Sequence, residues 1–159
     1  MTARVNTIEQ RKIVIICDNK PVTARALELF QTKWKLSENG HLLWTAALGS
    51  AGMYPTFSWH VKVGERYTIR AHRLAYTLAK GPIPEGWTVD HTCFIKRCGL
   101  PEHLEAVTAI ENYKRWNDTV IACKRGHLFT EETNYIHPTG KWRECKICRY
   151  EAVKRHREN

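Results

Sequence analysis

The stretch Gly86 to Arg115, GWTVDHTCFIKRCGLPEHLEAVTAIENYKR, decides the fold. It reads as a short strand ending at Asp90-His91, an irregular loop rich in metal-ligating side chains, a second strand around His103 to Val107, and a helix opened by Thr108. The order is therefore β, β, α. Cys93-x4-Cys98-x4-His103 sets three soft or borderline donors within eleven residues, which suits tetrahedral zinc. A structural site wants a fourth. His41, where the Leu42-Leu43-Trp44 strand begins, is a distant candidate and equally an ordinary surface histidine. Neighbouring residues on a strand face opposite ways, so one of Asp90 and His91 can hold a metal while the other handles a proton. Asn112 follows on the helix, and its amide oxygen is a hard donor that suits Mg²⁺.

Downstream, Cys123-x3-His127 and Cys145-x2-Cys148 make a complete four-donor set with seventeen residues between the two halves. A closed Cys3His shell has no open position, so the expected role is structural, holding together a tail too short to bury its own core. The tail reads as a hairpin, Thr133 to His137 and Lys141 to Glu144, followed by a basic helix that carries Arg149. That helix is a candidate for lying along a phosphate backbone and is equally readable as a solvated face. Cys17, the sixth cysteine, stands alone in an apolar run and reads as a small buried hydrophobe.

Upstream, Val22, Ala26, Leu27, Phe30 and Trp34 recur at helical spacing behind the cap residue Thr23, predicting a helix from about 24 to 35. His41 to Leu48 and Met53 to Val63 read as strands around a Gly49 to Gly52 break, and Arg66 to Arg70 as a third strand after Gly64. Ala71 to Lys80 follows as a helix with Leu74, Ala75 and Leu78 on one face, stopped by Gly81-Pro82.

The 159 residues carry 25 Lys and Arg against 16 Asp and Glu, a formal charge of +9. That balance favours a polyanionic partner, with an acidic membrane surface as the rival. No apolar run is long enough to span a bilayer, so neither a transmembrane helix nor a signal peptide is expected. Cysteines clustered with histidines read as metal ligands in a reducing compartment, so a cytoplasmic or nuclear protein is expected.

The segment Val89 to Asn112 resembles the HNH endonucleases found in phages and, within them, the His-Cys box homing endonucleases. The matching motifs are Asp90-His91-x-Cys93, Cys98-x-x-Pro101-x-His103-Leu104 and Glu111-Asn112. His41-Leu42-Leu43-Trp44-Thr45 and Ala71-His72-Arg73-Leu74-Ala75-Tyr76 extend the likeness upstream, and the downstream Cys/His pairs extend it to about residue 155. The resemblance implies an α+β fold, a small antiparallel sheet with a ββα-metal (His-Me finger) core and zinc-stabilised loops. The corresponding division is a helical appendage over 1–36, the nuclease core with its sheet and zinc site over 37–118, and a Cys3His module with a basic helix over 119–159. It makes His91 the general base, Asp90 and Asn112 the ligands of a catalytic Mg²⁺ or other divalent cation, and His41, Cys93, Cys98 and His103 the ligands of one structural zinc. Cys123, His127, Cys145 and Cys148 hold a second. Leu100 stands where the family has an asparagine that pins the histidine-bearing loop.

The implied activity is hydrolysis of phosphodiester bonds in double-stranded DNA, with a homodimer as the means of cutting both strands. A zinc-dependent DNA-binding protein without cleavage is the alternative, and an RNA-binding or interaction module is a third reading. Arg73 is a candidate phosphate contact at the active site. His60, Lys62, Arg66 and Arg70 in the strand region, Lys114 and Arg115 on the helix, and Arg149 in the tail are candidate DNA contacts. Trp59 and Tyr67 read as core residues rather than stacking platforms.

Overall fold

The computed structural model describes residues 12–49, 54–140 and 142–158. Residues 1–11 of the expected appendage, and Met53 and Lys141 as expected strand starts, lie outside them. The chain is a small α+β protein with, among the described residues, four α-helices and short two-stranded sheets, and divides into two compact units, residues 1–106 and 107–159. No helix among the described residues is long and apolar enough to cross a membrane.

The first unit opens with a hairpin of β1 (Ile13–Cys17) and β2 (Lys20–Thr23), turned by Asp18 and Asn19 with φ of 50° and 59°. Thr23 caps α1 (Ala24–Gln31), its side chain accepting from the Ala26 amide at 3.2 Å. The helix is shorter than periodicity predicts. Trp34 leaves it for β3 (Trp34–Leu36), which pairs with β4 (Leu42–Trp44), and Trp34 lies opposite Trp44. There it packs edge-on against Phe30 and Trp44, with ring centroids 5.4 and 4.8 Å away, contacts that a continued helix would forgo.

The longest hairpin joins β5 (Thr56–Lys62) to β6 (Glu65–Arg70) around Gly64, whose φ of +78° serves the turn. Strand alternation puts Phe57, Trp59 and Ile69 into the core and leaves His60, Arg66 and Arg70 on the exposed opposite face. Trp59 donates its indole N–H to the Pro21 carbonyl at 3.0 Å.

Next comes α2 (Ala71–Lys80), with the expected bounds and a Gly81 stop at φ +94°. Its inner face is Ala71, His72, Leu74, Ala75 and Thr77, whereas Leu78 is exposed. The helix packs against β1, β6, β7 (Thr88–His91) and the 3₁₀ turn Pro101–His103. That turn takes His103 out of the expected strand, so β8 (Leu104–Val107), paired with β7, begins one residue later.

Cys17, Val22, Ala26 and Phe30 share one core with Trp44, Trp59, Leu74, Val89 and Leu104. The described part of the first 36 residues is thus integral to the first unit rather than appended to it. These side chains bury their apolar area against strands far along the chain. Cys17 is buried, with its Sγ 3.2 Å from the Thr77 hydroxyl, and burial raises its thiol pKa.

In the second unit Thr108 caps α3 (Ala109–Thr119), accepting from the Glu111 amide at 3.1 Å. A hairpin of β9 (Asn134–Ile136) and β10 (Arg143–Cys145) leads directly into α4 (Lys146–Arg157). Unit division thus falls after Ala106, ahead of the expected boundary at 118.

Candidate metal centres and active site

The loop between β7 and β8 is tied to β4 through its backbone. The Trp44 amide donates to the Arg97 carbonyl at 3.0 Å, and the Gly99 amide to the Leu42 carbonyl at 2.8 Å, so that Leu43 and Cys98 form a bridge. The Arg97 guanidinium adds a bond to the Trp44 carbonyl at 2.6 Å. Gly99 is required by close approach, since a Cβ there would lie 2.2 Å from the Trp34 ring. Leu100 cannot pin the loop with a polar side chain, and this short backbone ladder does so in its place.

His41 enters β4 on the strand that the loop joins. His41, Cys93, Cys98 and His103 present ligand atoms that all lie within 4.8 Å of one another. Cys98 Sγ is 3.5 Å from His103 Nδ1, and the His41 and His103 rings are 4.9 Å apart. His41 Nδ1 is buried without a hydrogen-bond partner. A tetrahedral zinc with ordinary Zn–S and Zn–N bonds separates sulfur from nitrogen by about 3.5 Å and sulfur from sulfur by about 3.8 Å. The donor set fits, and a metal would satisfy the orphaned His41 nitrogen.

The second unit repeats the geometry. Cys123, His127, Cys145 and Cys148 also gather within 4.8 Å, with Cys123 and Cys148 sulfurs 3.7 Å apart. His127 Nδ1 is 3.3 Å from Cys148 Sγ and 3.6 Å from both Cys123 Sγ and Cys145 Sγ. A tight turn makes the first half, the Gly126 amide bonding to the Cys123 carbonyl at 2.9 Å with Gly126 at φ +85°. The second half lies where β10 enters α4. Both clusters can hold zinc, and each is a closed shell suited to a structural role.

His91 ends β7 and is 5% exposed. Its Nε2 lies 3.1 Å from the Cys98 carbonyl oxygen. A carbonyl oxygen only accepts, so Nε2 carries the proton and the neutral ring keeps its lone pair on Nδ1. Burial lowers the His91 pKa, against the Cys98 bond and the Asp90 charge, which raise it. Asp90 Oδ1 accepts from the His91 amide at 2.8 Å, fixing the carboxylate beside the strand end. Asn112 is half-buried in the first turn of α3.

Two side chains that sequence reasoning passed over flank His91. The His72 ring is 4.7 Å away and the Tyr54 ring 6.3 Å, centroid to centroid. The Arg70 guanidinium lies 4.5 Å from the Tyr54 ring centre, with the Lys96 ammonium at 5.3 Å. Burial drives the His72 pKa down to about 3, helped by His91, Arg70 and Arg73. His72 lies inside the motif Ala71 to Tyr76, so a signal for it existed. Tyr54 had none, because only folding brings it to the histidines.

Arg73, the expected phosphate contact, is paired within the fold. Its guanidinium makes a two-pronged pair with Asp18, at 2.6 and 2.5 Å, and the Asp18 bond raises its pKa. Asp18 sits in the β1–β2 turn, so this arginine ties α2 to that hairpin. Among the other expected DNA contacts, His60, Lys62, Arg66, Arg70, Lys114 and Arg149 are exposed. Lys62 pairs with Glu65 at 3.3 Å, Arg115 with Glu111 at 3.4 Å, and Arg149 with Glu144 at 3.4 Å.

Residues 70–114 match the family described as HNH endonuclease. The chain is also 39% identical over 44 residues to an uncharacterized gene 5.3 protein of Enterobacteria phage T3, an overlap of 28% of this chain and 44% of that protein. It thus spans less than half the length of that relative. No solved structure matches.

Substituting Gly99 tests how the loop is held. Gly99→Ala drives a methyl into Trp34, and the expected result is loss of one of two bound zinc ions per chain, read by native mass spectrometry, with the Cys123 cluster still loaded. Two zinc ions retained in Gly99→Ala would contradict it.

Proposed function

We propose that the protein is a metal-dependent DNA endonuclease of the HNH type, with His91 as the general base. One observation carries this reading: a buried imidazole whose Nε2–H is held by the Cys98 carbonyl, leaving Nδ1 as the basic atom. The family match over residues 70–114 supports the reaction class.

In this reading His91 Nδ1 takes a proton from the water that attacks the scissile phosphorus, help worth about a hundred- to ten-thousand-fold. A neutral ring is needed to accept the proton, and burial favours that form. Asp90 and Asn112 offer the hard oxygens that would hold a divalent cation such as Mg²⁺. When bound, that ion supplies charge stabilisation to the phosphate. The two Cys/His clusters would hold structural zinc, the first fixing the loop that orients His91.

Double-stranded DNA is the proposed substrate, and a homodimer the proposed arrangement for cutting both strands. His60, Arg66 and Arg70 share the exposed face of the β5–β6 hairpin, a ribbon of the size that enters a major groove, and are its proposed contacts. Lys62, Lys114, Arg115 and Arg149 are proposed as weaker backbone contacts, since three of the four have an acidic partner. Where a match to a phage protein points to a cellular setting, the cytoplasm of an infected bacterium is the proposed one.

His91→Ala is expected to lower nicking of supercoiled plasmid by about a hundredfold or more while duplex affinity and zinc content stay at wild-type values. Cutting at the parental rate would remove His91 from the mechanism. If the parent itself binds duplex but gives no nicked product with Mg²⁺, the non-cleaving alternative holds. Arg66→Ala is expected to weaken duplex binding and reduce the salt dependence by about one phosphate contact if it meets the backbone. An unchanged isotherm across salt concentrations would exclude it.

A further inference from the structure

A groove of about 390 Å³ in the second unit is lined by three aromatic rings, Tyr113, Trp116 and Phe129, and three cationic side chains, Lys124, Arg125 and Arg143. Its volume falls in the range of small-ligand sites, about 300–1,000 Å³. No carboxylate lines it among the described residues. Tyr113 and Trp116 stand three residues apart on α3 and so share a helix face, with ring centroids 5.9 Å apart and planes inclined at 36°. Trp116 is 55% exposed, so the fold leaves much of this indole in water beside the groove.

The three cations differ in what already holds them. Arg143 donates to the Val120 carbonyl at 2.5 Å with its guanidinium 3.9 Å from the Phe129 ring centre, and Arg125 pairs with Glu151 at 2.9 Å. Lys124 is exposed and has no ion pair among the described residues. Flat rings next to a cation match a base and its phosphate: every base has a face that stacks on an indole, and a lysine at the rim meets the backbone charge. An apolar segment seated in the groove would have to strip water from Lys124 without pairing it. A second copy of a chain with a net charge of +9 would bring more positive charge to a cationic rim.

We propose that this groove takes an unstacked nucleotide of a single strand, with the base on the Trp116 indole and the phosphate at the Lys124 ammonium. Arg143, fixed by Val120 and Phe129, adds a charge that needs no ordering when the strand arrives. The site belongs to the second unit and does not rest on the nuclease reading: it gives the Cys3His module a binding role of its own, for unpaired strands rather than for duplex.

Fluorescence anisotropy of a labelled oligothymidylate with the full-length, zinc-loaded protein, without added Mg²⁺, tests this. The parent is expected to bind it about tenfold more tightly than an abasic oligomer of equal length and charge, the scale of one base stack. Trp116→Ala is expected to erase that difference and Trp116→Phe to keep most of it, with zinc content unchanged in both. Lys124→Ala is expected to flatten the salt dependence by about one phosphate contact for either oligomer. Oligouridylate separates a ribose source from a deoxyribose one, and Trp116-dependent binding of either supports the site. Equal affinity of the parent for base-bearing and abasic oligomers overturns the inference without any variant, as does a parental preference retained in Trp116→Ala. Self-association of the parent that Trp116→Ala removes, with no preference for bases, would give the groove to a second copy and overturn it too. Cleavage does not enter the measurement, so a protein that cuts nothing leaves each of these outcomes decisive.

Discussion

The carbonyl of Cys98 joins two functions in one residue. Its oxygen fixes the tautomer of His91, and its own side chain belongs to the His41, Cys93, Cys98 and His103 cluster. The proposed base role of His91 needs a lone pair in one direction, and the Cys98 carbonyl is the backbone group that sets it. The position of that group depends in turn on a loop without regular structure. Two restraints hold it: the backbone ladder to β4 and the convergence of four metal donors.

The aromatic core explains why the ladder can form. Trp34 packs against Phe30 and Trp44 and lies directly over Gly99, so the loop backbone approaches the core as closely as a side chain would. Any Cβ at residue 99 would collide with an indole that is itself wedged between two rings. The β5–β6 hairpin contributes Phe57 and Trp59 to the same core and turns its basic face outward. Packing and the candidate substrate surface are thus opposite sides of one ribbon.

Much of this was legible in the sequence because its signals are local. Thr23 and Thr108 announce their helices, Gly81 ends α2, and the cysteine and histidine spacings pick out the residues that gather in both clusters, save the distant His41, which only the family resemblance singled out. The misses were tertiary. Trp34 follows helical spacing yet goes into a strand, where two aromatic partners outweigh one more helical turn. The pairing of Arg73 with Asp18, 55 residues earlier, had no local signal. Leu78 has helical register with Leu74 and still faces outward. The proximity of His72 and Tyr54 to His91 depends on how α2 and the β5–β6 hairpin pack around β7, which no short-range pattern encodes.

The tautomer of His91 tests the central claim most directly. In ¹⁵N-labelled, zinc-loaded protein, side-chain nitrogen NMR should report a neutral ring protonated at Nε2 with Nδ1 bare, and stripping the metal with a chelator should scramble that state toward a mixture. A ring protonated at Nδ1 in the loaded protein, or one whose tautomer is indifferent to metal removal, would contradict the account.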